Sequence, residues 1–119
     1  MSLCILSGGG TLVLAAGAFT LSWSHSVERT RWEEDWRVTA AGLELLEARV
    51  AGSGAGMEPP EDAVLRDGFW TYAPDLPPTP QLLLAASGAT GDGWRLCAAE
   101  LCLRLGERSG SPVTLFPCP

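Results

Sequence analysis

Apolar and polar residues alternate with a period of two along two consecutive stretches in the first third of the chain. From Phe19 to Val27 every odd position is apolar except His25, and from Trp32 to Ala40 every even position is apolar except Glu34. Such alternation is typical of a strand with one buried face. The two stretches therefore predict a β-hairpin whose turn is centred on Arg29-Thr30.

Folding the stretches about this turn places Trp23 opposite Trp36 and His25 opposite Glu34, on the face that should be buried. His25 is the only histidine of the chain. A carboxylate beside an imidazole fixes the ring tautomer and raises its basicity, as a general base requires. The pair is the centre of the candidate site, and the alternative is a structural pair that only fixes the strand register.

A third strand is predicted over Leu43–Ala51, after a turn at Ala41-Gly42. Its apolar pattern is mixed, so we expect a bulge, and helix remains a competing interpretation. Pairing about this turn places Arg49 opposite Glu34, which would give a buried carboxylate two partners. Alternate residues of the acidic run, Glu33 and Asp35, are expected on a solvated face.

The glycine-rich segment that follows is predicted to be an irregular loop at the mouth of the site. It lacks the lysine of a phosphate-binding loop and the spacing of a dinucleotide fingerprint, and two prolines follow it in place of a helix. Glycine allows a ligand to approach backbone N–H groups closely, whereas a loop that simply packs over the end of the fold is the alternative. Its candidate ligand-binding residues are Gly52, Ser53, Gly54, Gly56 and Met57.

Short strands separated by turn signals continue to the end of the chain. Asp67-Gly68 is expected to be a turn, and the proline-rich segment 74–80 an extended connector. About nine strands in 119 residues predict a single all-β domain, residues 1–119, that folds as an antiparallel β-sandwich or barrel. The remaining strands are expected at 3–6, 11–16, 69–72, 81–87, 93–98, 101–105 and 113–116.

Four cysteines allow two disulfides. Cys97 and Cys102 flank a predicted turn and should lie opposite each other, and Cys4 and Cys118 could join the first strand to the last. Two disulfides would imply an oxidising compartment, and four reduced cysteines are the alternative. The paired spacing of a zinc site is absent, so we expect neither a metal nor another cofactor.

The charge distribution limits the partners. The net charge is −6 without any lysine, which argues against binding to nucleic acid. Glycines interrupt the apolar N-terminal run and no basic residue precedes it, so we expect strands there and neither a signal peptide nor a membrane helix. This places the chain in the cytoplasm by default.

Three sequence motifs resemble those of a bacterial family known as domain of unknown function 1850. They are His25-Ser26-Val27-Glu28-Arg29-Thr30, Trp32-Glu33-Glu34-Asp35-Trp36 and Gly52-Ser53-Gly54-Ala55-Gly56-Met57. The resemblance extends from about Phe19 to Pro117-Cys118. It implies no activity or catalytic residue, but its members look like small companions of tripartite (TRAP-type) solute transporters of the TAXI class. That association would imply an extracytoplasmic location.

These features favour a binding or accessory module over an enzyme. The candidate residues His25, Glu34 and Arg49 would hold a small anionic ligand or a partner segment. The resemblance implies a membrane transport system as the partner. The alternatives are a small enzyme that uses His25 and Glu34 for acid–base chemistry, and an interaction module in which these residues only specify the fold. No activated nucleophile motif supports the enzyme. The sequence leaves the oligomeric state open.

Overall fold

Strands are the only regular secondary structure in the described part of this computed structural model. It describes residues 1–25, 30–51, 60–86 and 93–119, with His25 described through its backbone alone. No helix in these segments is long and apolar enough to span a membrane. The all-β prediction is confirmed, and the described residues form eleven strands instead of about nine. They are β1 Ser2–Ser7, β2 Gly10–Leu14, β3 Ala18–His25, β4 Thr30–Thr39, β5 Gly42–Ala51, β6 Val64–Arg66, β7 Phe69–Tyr72, β8 Leu82–Leu84, β9 Trp94–Ala98, β10 Leu101–Leu105 and β11 Val113–Cys118.

The strands form two antiparallel sheets that pack as a sandwich. The smaller sheet has the order β2-β1-β11-β8, and the larger has the order β10-β9-β3-β4-β5-β7-β6. Alternate residues of both sheets face the interior and exclude water from one apolar core. Its buried members are Leu3, Ile5, Phe19, Leu21, Trp36, Val38, Leu43, Leu84, Leu96, Ala98, Leu105, Val113 and Leu115.

The β3–β4 hairpin is present, but its register differs from the prediction. Trp23 pairs with Trp32, and His25 pairs with Thr30 instead of Glu34. The predicted turn at Arg29-Thr30 is therefore wrong, because Thr30 already belongs to β4. A slip of four residues keeps every side chain on its predicted face, because the period of a strand is two.

The β4–β5 hairpin turns at Ala40-Ala41, one residue earlier than predicted. Gly42 begins β5 with a φ of 137°, and a Cβ there would lie 2.5 Å from the carbonyl oxygen of Thr79. This close approach requires glycine. It allows the neighbouring Leu43 to exchange two backbone hydrogen bonds with Thr79, at 2.7 and 2.9 Å, and this attaches the proline-rich segment to the start of β5.

The bulge expected in the third strand is confirmed. Asp35 pairs with Glu47 and the next residue, Trp36, pairs with Leu45, so that Leu46 has no partner across the strand. The competing helix interpretation is wrong. The earlier turn and the extra residue together change the pairing of Arg49, whose partner is Glu33 instead of Glu34.

Shorter elements differ from the prediction mainly in their length. Asp67 and Gly68 both have positive φ and form the predicted turn, but the sequence pattern did not predict β6, the strand before it. This strand has three residues whose side chains are all exposed, so it lacks the apolar alternation of a half-buried strand. The strand predicted at 81–87 is shorter, Leu82–Leu84.

Two disulfides are present in the structure. Cys4 in β1 is bonded to Cys118 in β11, across a sequence separation of 114 residues. Cys97 and Cys102 pair directly across the β9–β10 hairpin and are bonded as well. The first disulfide joins the two ends of the chain, and the second closes a hairpin that already pairs through its backbone.

Candidate functional site

The two faces of the larger sheet differ in charge. The pairing register assigns every arginine of its described strands to the outer face, away from the smaller sheet. Glu34 is the acidic residue that the same register assigns to the inner face. This asymmetry follows from strict alternation in β3, β4 and β9. The arginines are Arg31, Arg37, Arg49, Arg66, Arg95 and Arg104.

A row of aromatic side chains crosses the inner face. The indoles of Trp23 and Trp32 stack with ring centroids 6.1 Å apart and planes 5° from parallel. Trp94 meets Trp23 at 4.7 Å with a tilt of 52°. Trp32 pairs with Val50, which pairs with Trp70 in β7. All four indoles are half-buried, so each offers part of its surface to solvent or to a ligand.

The row begins at the main core and extends beyond it. Trp94 and Trp23 pack against the core, and the indole N–H of Trp94 donates a 3.0 Å hydrogen bond to the carbonyl oxygen of Ala85. Among the described residues, the core cluster ends there, and Trp32 and Trp70 continue the row over β4 and β7. We call Trp23, Trp32, Trp70 and Trp94 the indole row.

Glu34 lies in the neighbouring row of the same face. Its cross-strand neighbours are the buried Leu21 and Ala48, and Ala48 pairs with Tyr72. The indole N–H of Trp36 donates to the Glu34 carboxylate at 3.3 Å. Burial raises the pKa of Glu34 more than this hydrogen bond lowers it. The site therefore holds a carboxyl group whose charge is poorly compensated by the described residues.

Tyr72 responds to that charge. Its pKa is raised, first by burial and then by the nearby negative charge of Glu34. The phenol and the carboxylate are thus close enough to interact electrostatically, on an inner face that also carries indoles. An apolar wall with one negative group is suited to a ligand that is apolar in bulk and positively charged at one point.

The outer face presents the opposite arrangement, with Arg49 at its centre. The guanidinium binds both carboxylate oxygens of Asp35, at 2.7 and 2.9 Å. It also contacts Glu33 at 3.1 Å and Glu47 at 2.6 Å. We call these four residues the Arg49 network. The hydrogen bonds from Arg49 lower the pKa of Asp35, which also accepts a 2.8 Å bond from the hydroxyl of Thr20.

The Arg49 network corrects two predictions. Glu33 and Asp35 do not form a simple solvated face, because each lies within an ion-pair network and only 23% and 34% of their side chains are exposed. Arg49 does not share a face with Glu34. The acidic run could have predicted this network. Glu33 and Asp35 are two residues apart and so lie on the same face, and a bulge in β5 places Arg49 on that face as well.

The predicted triad of His25, Glu34 and Arg49 is therefore not brought together. The backbone of His25 pairs with Thr30 at the end of β3, and the guanidinium of Arg49 lies on the other face of the sheet from Glu34. The predicted loop residues Gly52, Ser53, Gly54, Gly56 and Met57 lie outside the described residues. Tyr72 and the indole row are the parts of the site that the sequence analysis did not assign to it.

No metal centre is apparent within the described segments, where no three potential ligand side chains are grouped to hold an ion. The carboxylates of the Arg49 network are the densest acidic group, and their positive partner is the guanidinium itself. The inner face, in contrast, presents aromatic surface and one carboxyl group.

The fold and this inner face define a small all-β domain with an aromatic site beside a half-buried carboxyl group. The chain matches the family model described as Domain of unknown function (DUF1850) over residues 19–105. Because the match covers well over half of the 119 residues, the chain belongs to this family. Comparison with curated proteins gave no match, and comparison with solved structures gave none either.

Proposed function

We propose that this protein is a binding module whose ligand is an organic cation held over the indole row beside Glu34. The observation that carries the proposal is the half-buried Glu34 carboxyl group, whose pKa is raised by burial on a face to which the register assigns none of the strand arginines. A bound cation would supply a positive charge that none of the described residues places beside Glu34. Indole faces attract cations, and the attraction grows when the ligand is desolvated.

The small anionic ligand expected from the sequence stays a prediction, but Arg49 no longer supports it. Three carboxylates already surround that guanidinium, so an incoming anion would meet net negative charge. The enzyme alternative depended on a direct His25–Glu34 pair, and His25 pairs with Thr30. Binding is therefore the better supported of these functions.

The ligand class is tested with choline and its neutral isostere, 3,3-dimethylbutanol. Because tryptophan lines the site, intrinsic fluorescence reports on binding directly. We expect choline to change the emission in a saturable way and the isostere to have little effect at the same concentration. Equal responses to both probes, or no saturable response to choline at a constant ionic strength, would overturn the proposal.

Glu34→Gln is the matching variant, because it keeps the shape of the side chain and removes the charge. We expect about tenfold weaker binding of choline, the effect of losing an interaction of roughly 1.4 kcal/mol. Glu100→Gln, in the exposed turn between β9 and β10, changes the net charge equally and serves as the control. An unchanged affinity in Glu34→Gln would remove Glu34 from the site.

At a finer level, we propose that the module is an accessory of a tripartite solute transporter. The resemblance to small companions of TAXI-class transporters supports this, and so does the presence of two disulfides, which suit the oxidising compartment outside the cytoplasm. The test is a direct binding titration against the purified solute-receptor subunit of such a transporter from the same genome. We expect saturable binding, and its absence up to about 1 mM, the weak end of specific association, would overturn the accessory role.

A further inference from the structure

The smaller sheet has no charged side chain in any of its four strands. The chain has 8 basic and 14 acidic residues, and all of them lie outside β1, β2, β8 and β11. The outer face of this sheet instead exposes apolar side chains: Leu6 is 41% exposed, Val13 55% and Leu83 63%. An uncharged apolar surface on a chain with a net charge of −6 is typical of an interaction site.

Among the described residues, no strand pairs with the outer edge of β2. β2 pairs with β1 on one side and ends the sheet on the other. It pairs in an unbroken register from Gly10 to Leu14, without a bulge, a proline or a charge. These are the devices that usually prevent an edge strand from pairing with another chain. No described strand pairs with the outward backbone groups of β2, so they can accept a further strand.

The other sheet edges of the described structure carry such protection. β6 contains Arg66 and β10 contains Arg104, so each presents a charge. β8 is three residues long and follows Pro80 closely. Of the four sheet edges that the described strands form, β2 is therefore the one without such protection against pairing with another chain.

We propose that two copies of this chain associate by antiparallel pairing of their β2 strands. A two-fold axis near Leu12 would place Val13 of one copy next to Thr11 of the other, and the two smaller sheets would become one sheet of eight strands. The same uncharged strand serves both copies, as a two-fold interface requires. Pairing here brings no charged strand residue of one smaller sheet against the other, despite the net charge on each copy.

The oligomeric state tests the proposal. Sedimentation velocity of the intact chain, with its disulfides formed, should show a monomer–dimer equilibrium between about 1 µM and about 1 mM, the range of weak specific association. A monomer throughout this range would overturn it. Amide hydrogen exchange at residues 10–14 should slow as the concentration rises, because the outward N–H groups become bonded.

Two lysine substitutions distinguish this edge from other surfaces. Val13→Lys adds a like charge to each copy next to the two-fold axis, and we expect the dimer to weaken by about tenfold or more. Leu83→Lys places the same charge at the opposite edge of the same outer face, and we expect no change. If Leu83→Lys weakens association and Val13→Lys does not, β2 pairing is wrong. Thermal unfolding of both variants checks that each remains folded.

Discussion

At the scale of single residues, Glu34 and Asp35 are neighbours in β4 whose carboxyl groups have opposite pKa shifts. Burial raises the pKa of Glu34 above its ordinary 4.5, whereas hydrogen bonds from Arg49 lower the pKa of Asp35 below 3.8. The folded state therefore binds the Glu34 proton more tightly than the unfolded chain does, and the Asp35 proton less tightly. The stability that Asp35 contributes is fully present above pH 3.8 and is lost as the pH falls through the pKa of Asp35 in the folded state.

The stability contributed by Glu34 has the opposite pH dependence. It is fully present below pH 4.5 and is lost as the pH rises through the raised pKa of Glu34 in the folded state. We expect Glu34→Gln to remove this decline, so that its free energy of unfolding above pH 4.5 falls less steeply than that of the wild type. Urea unfolding at a series of pH values measures the slope. Glu100→Gln should keep the wild-type slope, and a wild-type slope in Glu34→Gln would contradict the assignment.

Replacing Arg49 should destabilise the fold, because its three carboxylates would lose their shared cation. We expect Arg49→Met to lower the free energy of unfolding by about 2 kcal/mol, less than for a fully buried pair because the acids are partly exposed. Arg37→Met is the matched control, since Arg37 binds Glu44 in an exposed pair and, among the described residues, has no second carboxylate partner. This substitution should cost about 0.5 kcal/mol. Urea unfolding at neutral pH compares them, and equal losses would refute the network.

At the scale of elements, the β3–β4 hairpin gives a test of its register. We expect a double-mutant cycle between Trp23 and Trp32 to give a coupling energy of about 0.5–1 kcal/mol, because the rings stack across the strands. The same cycle between Trp23 and Trp36, which the sequence predicted as partners, should give a value near zero. A larger coupling for the second pair would restore the predicted register.

The hairpins also explain which features of the fold could be predicted. Alternation assigned Glu34 to the inner face correctly, because an even slip in register leaves every face unchanged. Alternation could not distinguish registers that differ by four residues. In the observed register Phe19 stacks on Trp36, and the hydroxyl of Thr20 donates a hydrogen bond to Asp35. Arg49 was assigned to the wrong face, since a bulge adds one residue and reverses the parity after it.

At the scale of the whole molecule, the two disulfides should contribute unequally to stability. In the chain-entropy account, a bridge spanning 114 residues stabilises by about 4.8 kcal/mol and one spanning 5 residues by roughly 2 kcal/mol. We expect Cys4→Ala with Cys118→Ala to lower the melting temperature more than Cys97→Ala with Cys102→Ala. Calorimetry of both double variants measures this, and the reverse order would mean that the ends are stabilised mainly by pairing of β1 with β11.

The bond between Cys4 and Cys118 also determines how the molecule would carry a mechanical load. A pulling force applied at the two ends passes through this one covalent bridge, so the residues between the cysteines bear no tension. With the bridge intact the domain would transmit force as a short, inextensible link. Once it is reduced, the same pull would act on every strand and release roughly 390 Å of chain, at about 3.4 Å for each of the 114 residue steps.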